Sequence, residues 1–131
     1  MRSTLPRIST LMVLENHIRH LLVDAHGCRG PLDDADGLLA LMHDAAQAAG
    51  ARPMGEASAR YVPHGVTAVL FLAESHILIS TWPERNMALI DVLVCSDRMD
   101  LDKAWEVIAA GLQTDQINEQ RVIRGKDEAS E

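Results

Sequence analysis

The feature that most constrains the fold of this chain is a series of three apolar runs separated by short polar breaks. The runs cover residues 67–72, 76–82 and 87–94, and the breaks cover residues 73–75 and 83–86. Each run has strand length and is rich in aliphatic and β-branched residues. Parallel neighbours need a crossover of a dozen or more residues, so breaks this short require antiparallel pairing. The series therefore predicts consecutive hairpins within an antiparallel or mixed sheet.

Helical spacing of apolar residues is confined to two segments outside this series. In residues 37–49 it is followed by Gly50, at a position where glycine commonly ends a helix, and Asp100 can cap a second helix over residues 101–112. Shorter strand-like stretches cover residues 20–25, 52–61 and 117–123. The order of strand, helix, four strands, helix and strand predicts the α+β class. We expect a two-layer α/β sandwich with a mostly antiparallel sheet and two helices on one face.

The length and charge of the chain limit its organisation and its partners. Its 131 residues fit one domain over residues 17–125, with an N-terminal extension over residues 1–16 and a polar tail over residues 126–131. The net charge of −7 argues against nucleic-acid binding, which calls for a basic face. The apolar runs are too short for a signal peptide or a membrane span. We therefore expect no nucleic acid or membrane partner and a cytoplasmic location.

Both cysteines and the histidines lack the spacing of a metal or disulfide framework. Cys28 and Cys95 form no CxxC pair, which indicates free thiols in a reducing compartment. The histidines near the N-terminal end of the chain are irregularly spaced, at His17, His20, His26 and His43. We predict no metal site.

An acid, a hydroxyl and an imidazole stand in a row in the break between the first two runs, at Glu74, Ser75 and His76. One interpretation is an ordinary polar turn, although Asn-Gly or Asp-Gly is the commoner choice. A second is a hydrolase nucleophile, but the Gly-x-Ser-x-Gly elbow is missing. A third is self-processing, in which the Ser75 hydroxyl attacks the carbonyl carbon of Glu74.

Self-processing would proceed in steps that the neighbouring groups can assist. Attack by Ser75 shifts the backbone from amide to ester, and strain in a tight turn promotes that shift. Loss of the Ser75 α-proton then expels the ester and leaves dehydroalanine, a step that a nearby base assists. Hydrolysis of dehydroalanine produces a pyruvoyl group at a new N-terminus.

The stretch LAESHILISTWPE, residues 72–84, resembles the cleavage region of prokaryotic S-adenosylmethionine decarboxylase proenzymes. The resemblance runs in order from His20 to Gly125. Its matching positions are residues 20–22, 24, 27, 28, 32–34, 50, 61, 63, 65, 66, 72–77, 79, 81–84, 91, 92, 95, 97 and 123–125. Because the combined pattern covers most of the chain, it is far more specific than Glu-Ser-His alone.

This resemblance implies a zymogen that cuts itself between Glu74 and Ser75 and carries its cofactor as a pyruvoyl group made from Ser75. The pyruvoyl ketone would form a Schiff base with the substrate amine and withdraw electrons as carbon dioxide leaves. The implied substrate is S-adenosylmethionine, a cationic amino-acid-type molecule. The implied product is the aminopropyl donor of spermidine and polyamine biosynthesis. The resemblance also implies a homodimer with active sites near its interface.

Individual roles also follow from the resemblance, each beside a plainer structural interpretation. Cys95 matches a cysteine that protonates the product carbon, although small buried cysteines are common in cores. Tyr61 and Trp82 match aromatic positions near the substrate, where a ring face suits a sulfonium, or they pack in the core or dimer interface. Glu84 matches an acid that binds ribose hydroxyls, and the alternatives are a solvated turn residue or a partner for the amine or guanidinium of a different substrate. His76 lies within the motif and either assists cleavage or packs beside it.

Three positions depart from the family pattern and leave the substrate open. Ser80 stands where the family usually has a histidine that takes the α-proton, Thr67 stands for serine, and His64 stands for glutamine. His64 precedes the same strand as Thr67, so we consider it a substitute base. One alternative function is decarboxylation of L-ornithine or L-arginine with the same cofactor. Another is an uncleaved, non-catalytic homologue that acts as a binding or regulatory partner.

Overall fold

The computed structural model describes residues 18–95 and 98–126. The predicted N-terminal extension, the tail beyond Lys126 and the matching residue Asp97 lie outside these ranges. In chain order, the elements are β1 (Ile18–His26), α1 (Ala35–Ala49), β2 (Pro53–Arg60), β3 (Val66–Leu72), β4 (Ser75–Trp82), a 3-10 turn (Pro83–Arg85), β5 (Met87–Val94), α2 (Leu101–Leu112) and β6 (Gln116–Arg124).

The six strands form one sheet in the order β2-β3-β4-β5-β1-β6, and every neighbouring pair is antiparallel. The three apolar runs form β3, β4 and β5, which are adjacent in space as the short breaks require. The sequence pattern did not predict that β1 lies between β5 and β6. The predicted α+β class, with a largely antiparallel sheet, is confirmed.

The second helix begins and ends where the sequence predicts, whereas the first ends at the predicted residue but begins at Ala35, two residues before the predicted helical spacing. The Asp34 carboxylate accepts a hydrogen bond from the Gly37 amide, and the Asp100 carboxylate accepts one from the Lys103 amide, each at 3.0 Å. These bonds satisfy amide groups that have no partner inside the helix. Gly50 ends α1 with a φ of 76°, in the left-handed region that glycine adopts at low cost.

The core lies between the two helices and one face of the sheet. Side chains of alternate strand residues point to this face, and on β4 they include the fully buried Ile77 and Ile79. Leu38 and Met42 of α1 and Ile108 of α2 pack against them. The two helices therefore cover one face only, which confirms the predicted two-layer sandwich.

The opposite face of the sheet, here called the open face, carries no helix within the described residues. It is formed by the alternate, partly exposed side chains of the inner strands, among them Val69, Leu78 and Leu93. Phe71 is 48% exposed and Val122 is 40% exposed. Exposed apolar side chains on a sheet face without a helix are a feature of protein–protein contacts.

Candidate active site

The predicted cleavage point lies in the hairpin that joins β3 to β4. Leu72 pairs with Ser75, so Ala73 and Glu74 form a two-residue turn between the strands. Glu74 has a φ of 58°, a backbone conformation that costs a residue with a side chain roughly 1–2 kcal/mol. The peptide bond before Ser75 therefore follows directly after a strained residue.

Ser75 is held in this hairpin by a residue that is distant in sequence. It is the first residue of β4, points toward the helices and is 8% exposed. The Cys95 amide, just after β5, donates a hydrogen bond of 3.1 Å to Ser75 Oγ. The Cys95 Sγ atom is 4.0 Å from the carbonyl oxygen of Ala73. Antiparallel pairing of β4 with β5 thus brings the predicted nucleophile and the predicted thiol together.

His76 follows Ser75 but points to the open face, where it lies near His20 and Asp91. Burial lowers the pKa of His76, the charge of His20 lowers this pKa further, and Asp91 partly opposes both effects. The His20 Nε2 atom is 3.6 Å from the Asp91 carboxylate. At neutral pH the His76 imidazole is therefore uncharged and able to accept a proton.

The lowered pKa of His76 makes stability depend on pH in a defined direction. In the unfolded chain His76 takes up a proton near its ordinary pKa of about 6.5, whereas the folded chain takes it up only at lower pH. Acidification from pH 7.5 to 5.5 should therefore reduce the free energy of unfolding more in the wild type than in His76→Gln. Urea unfolding of both proteins at the two pH values measures the difference. Equal losses would contradict this environment for His76.

A second group of predicted residues lines a cavity of about 360 Å³ at the other end of β3 and β4. Its lining residues are Tyr61, His64, Thr67, Ser80, Thr81, Trp82 and Glu84. We call this cavity the pocket.

Two sets of contacts organise the pocket. The Tyr61 hydroxyl donates to Thr67 Oγ1 at 3.0 Å, and Thr67 Oγ1 is 3.0 Å from Ser80 Oγ. Thr67 and Ser80 are direct neighbours in the pairing of β3 with β4. On another side, His64 Nε2 is 3.0 Å from a carboxylate oxygen of Glu84. His64 thus lines the same pocket as Ser80, where its imidazole is paired with Glu84.

The two groups do not meet within one chain. Ser75 and Ser80 are five residues apart on β4, which places their Cα atoms about 17 Å apart. The odd spacing also turns their side chains to opposite faces of the sheet. Glu74, Ser75, His76 and Cys95 therefore form one cluster at the hairpin. Tyr61, His64, Thr67, Trp82 and Glu84 form the other.

Sequence reasoning missed one polar residue of the pocket, Thr81. It is 4% exposed and points toward the helices together with Ile77 and Ile79. The sequence could have indicated this residue, because Thr81 continues the alternation of the buried isoleucines along the strand. A buried hydroxyl needs hydrogen-bond partners, so its position predicts a polar contact in the core.

A wider cavity of about 770 Å³ lies beside the loop of residues 27–34 and is not a better candidate. Its acidic side chains already have partners. Asp33 accepts from the Gly65 amide, Asp34 caps α1, and Asp115 pairs with Arg29 at 3.7 Å. In residues 18–95 and 98–126, no group of three or more His, Cys, Asp or Glu side chains could hold a metal ion. No helix in the same ranges is long and apolar enough to cross a membrane.

Comparison with known proteins gives a consistent result. Residues 19–125 match the family model described as S-adenosylmethionine decarboxylase. The chain is 31% identical over 109 residues to the S-adenosylmethionine decarboxylase proenzyme of Thermosipho melanesiensis, covering 82% of this chain and 84% of the relative. It is 36% identical over 101 residues to the proenzyme of Clostridium kluyveri, covering 76% of each.

A solved structure agrees with the sequence relatives. The crystal structure of the adenosylmethionine decarboxylase from Aquifex aeolicus superposes with a TM-score of 0.80 at 30% identity, covering 87% of this chain and 95% of that one. The fold and these relatives define the class of the protein as a decarboxylase, that is, a carboxy-lyase. The chain belongs to the S-adenosylmethionine decarboxylase family, which confirms the resemblance seen in the sequence.

Proposed function

We propose that the chain is a proenzyme that cleaves itself between Glu74 and Ser75 and then decarboxylates S-adenosylmethionine with a pyruvoyl group made from Ser75. The observation that carries this proposal is the hairpin, where Ser75 Oγ accepts the Cys95 amide proton directly after a residue with a φ of 58°. The product would be the aminopropyl donor for spermidine biosynthesis. The domain would span residues 17–125, and the enzyme would act in the cytoplasm.

The cleavage chemistry uses groups of the hairpin. The Ser75 oxygen attacks the carbonyl carbon of Glu74, the C–N bond breaks, and an ester replaces the amide. Relief of the strain at Glu74 favours this step. A base then removes the α-proton of residue 75, and the ester oxygen leaves as the carboxylate of Glu74. Water replaces the nitrogen of the resulting dehydroalanine, ammonia leaves, and a pyruvoyl group remains at residue 75.

The residues around position 75 fit such a group. Its carbonyl would supply an electron sink for the bond that breaks as carbon dioxide leaves. Cys95 carries a thiol beside the hairpin, where it would protonate the product carbon. The uncharged His76 imidazole follows the cleavage point in sequence but points to the face opposite the Ser75 side chain.

The distance between the hairpin and the pocket supports a homodimer. Within one chain about 17 Å separates residue 75 from Ser80. Packing of two open faces around a two-fold axis would cover the apolar side chains of both and place the hairpin of one chain against the pocket of the other. The exposed Phe71 and Val122 support burial of this face. We propose that each active site combines residues of two chains.

The pocket suits a cationic substrate with a flat ring system. The side chains of Tyr61 and Trp82 offer ring faces for a sulfonium and an adenine. Glu84 would bind ribose hydroxyls, but here it already contacts His64 at 3.0 Å. That contact is the observation that favours a second candidate, the decarboxylation of ornithine or arginine, which carry no ribose.

Release of labelled carbon dioxide from S-adenosylmethionine, ornithine and arginine tests the substrate. We expect kcat/KM for S-adenosylmethionine to exceed the other two by at least about 100-fold, because a site with hydrogen bonds to the substrate discriminates strongly. Faster release from ornithine or arginine would show that this amino acid, rather than S-adenosylmethionine, is the substrate of the same pyruvoyl chemistry. An uncleaved protein that releases nothing would support a non-catalytic homologue instead.

His64 is proposed as the base that replaces the missing histidine, acting on Ser75 of the other chain. We expect His64→Ala to slow self-cleavage by at least about 100-fold, the usual contribution of general base catalysis. When a His64→Ala chain is co-expressed with a Ser75→Ala chain, one mixed site keeps both residues. The His64→Ala chain should then be cleaved, which differently tagged chains reveal on a denaturing gel.

The matched control is His43→Ala. His43 lies on α1 and bonds to Glu56 at 2.8 Å, outside the pocket, so its loss should leave cleavage at the wild-type rate. Wild-type cleavage of His64→Ala would refute the role of His64. Slow cleavage that co-expression does not restore would refute the shared site.

A further inference from the structure

The walls of the pocket are held by a loop that contributes no side chain to it. Residues 27–34, here called the anchor loop, join β1 to α1. None of them lines the pocket. The anchor loop nevertheless bonds to both segments that carry the His64–Glu84 pair.

The first contact holds the segment of residues 61–65. The Asp33 carboxylate accepts a hydrogen bond of 2.7 Å from the Gly65 amide. Gly65 in turn accepts a 2.9 Å bond from the Tyr61 amide, which closes the segment into a turn. Gly65 is buried with a φ of 112°, and a Cβ atom there would lie 3.3 Å from the carbonyl oxygen of Thr81. The turn is therefore packed tightly against β4.

Two further contacts join the anchor loop to the rest of the pocket. The Thr81 hydroxyl donates to the Leu32 carbonyl at 2.7 Å and accepts from the Val66 amide at 2.9 Å. The Cys28 amide donates to the Asn86 carbonyl at 2.9 Å, directly after the turn that carries Glu84. The anchor loop thus contacts the two segments that form opposite sides of the pocket without lining the pocket itself.

We infer that Asp33 is a positioning residue for substrate binding, supported by Thr81. Its carboxylate fixes the turn that places the His64 imidazole against Glu84 and the Tyr61 hydroxyl against Thr67. Without an acceptor at position 33, the buried Gly65 amide lacks a partner, so the turn must shift to find one. The inference rests on the proposed function only for the identity of the substrate that the pocket binds.

The kinetic test compares Asp33→Ala, Asp33→Asn and Asp34→Ala. The assay uses whichever of S-adenosylmethionine, ornithine or arginine the wild type decarboxylates. Asp33→Ala should raise KM at least 10-fold with kcat per cleaved chain changed less than 3-fold. Asp33→Asn keeps an oxygen acceptor and should stay within 3-fold of the wild type in both constants. Asp34→Ala removes the neighbouring helix cap and should lower the melting temperature without raising KM.

An unchanged KM in Asp33→Ala would overturn the inference. An equal rise in Asp33→Ala and Asp34→Ala would also overturn it, because both variants would then act through general destabilisation. Failure of Asp33→Asn to retain a low KM would show that the hydrogen bond is not the cause.

A second measurement does not depend on activity. Amide hydrogen exchange is recorded in the intact Ser75→Ala precursor with and without Asp33→Ala. The Gly65 and Tyr61 amides should exchange at least 10-fold faster when Asp33 is replaced, while amides of β4 and β5 keep their protection. Unchanged exchange at Gly65 would overturn the inference even if the enzyme is active. If the wild type decarboxylates nothing, the proposed function fails, and this exchange experiment alone decides the role of Asp33.

Discussion

Ser75→Ala is expected to remain a single chain and to release no carbon dioxide above background. Alanine has no oxygen to attack the Glu74 carbonyl, so neither the ester nor the pyruvoyl group can form. The loss should reach at least about 10⁶-fold, the lower range of enzymatic rate enhancement, because the electron sink itself is missing. A denaturing gel and labelled carbon dioxide release measure the two effects on one preparation.

Ser58→Ala provides the control for Ser75→Ala. Ser58 is an exposed serine on the edge strand β2, so its replacement should leave cleavage and activity unchanged. Ser75→Cys is a second useful variant, because a thiol can also attack the carbonyl and should allow some cleavage. Decarboxylation by an uncleaved Ser75→Ala protein would show that the chemistry does not need residue 75.

Cys95→Ala is expected to cleave itself but to lose most of its decarboxylase activity. The hydrogen bond to Ser75 Oγ comes from the backbone amide of Cys95, which alanine retains. The thiol that would protonate the product carbon is lost. General acid catalysis contributes about 10²–10⁴-fold, so kcat should fall by that factor. Intact mass and steady-state kinetics separate the two outcomes.

Cys28→Ala is the matched control for Cys95→Ala. Cys28 is buried in the core, and burial raises the pKa of its thiol, so it stays protonated. Its replacement should lower stability slightly and leave kcat per cleaved chain unchanged. A kcat of Cys95→Ala equal to that of the wild type would show that the thiol takes no part in the mechanism. Failure of Cys95→Ala to cleave would show that the side chain, rather than the amide, supports processing.

Local pattern predicted the elements of the fold better than their arrangement. Runs of strand length with short breaks require the β3-β4-β5 order, because no other pairing can be closed by so few residues. Gly50 and Asp100 predicted one end of each helix through cap chemistry. The position of β1 depends on pairing with β5 and β6, which are far away in sequence. No local pattern specifies such a partner.

The candidate site was predicted residue by residue but not in its geometry. The motif named Ser75, Cys95, Tyr61, Trp82 and Glu84, and the departures from it named His64, Thr67 and Ser80, whereas Thr81 received no role. Strand periodicity alone already places Ser75 and Ser80 on opposite faces, since five residues separate them. The bond from Gly65 to Asp33 joins residues 32 apart in sequence, and it depends on how the anchor loop packs against the sheet. Sequence spacing carries no information about that contact.

The most direct test of the account is the intact mass of freshly purified wild-type protein under denaturing conditions, before and after borohydride treatment. We predict two polypeptides, one ending at Glu74 and one beginning at residue 75. Borohydride should add the mass of two hydrogens to the second polypeptide alone, because it reduces the pyruvoyl ketone. A single polypeptide with the mass of residues 1–131 that borohydride leaves unchanged would contradict the account.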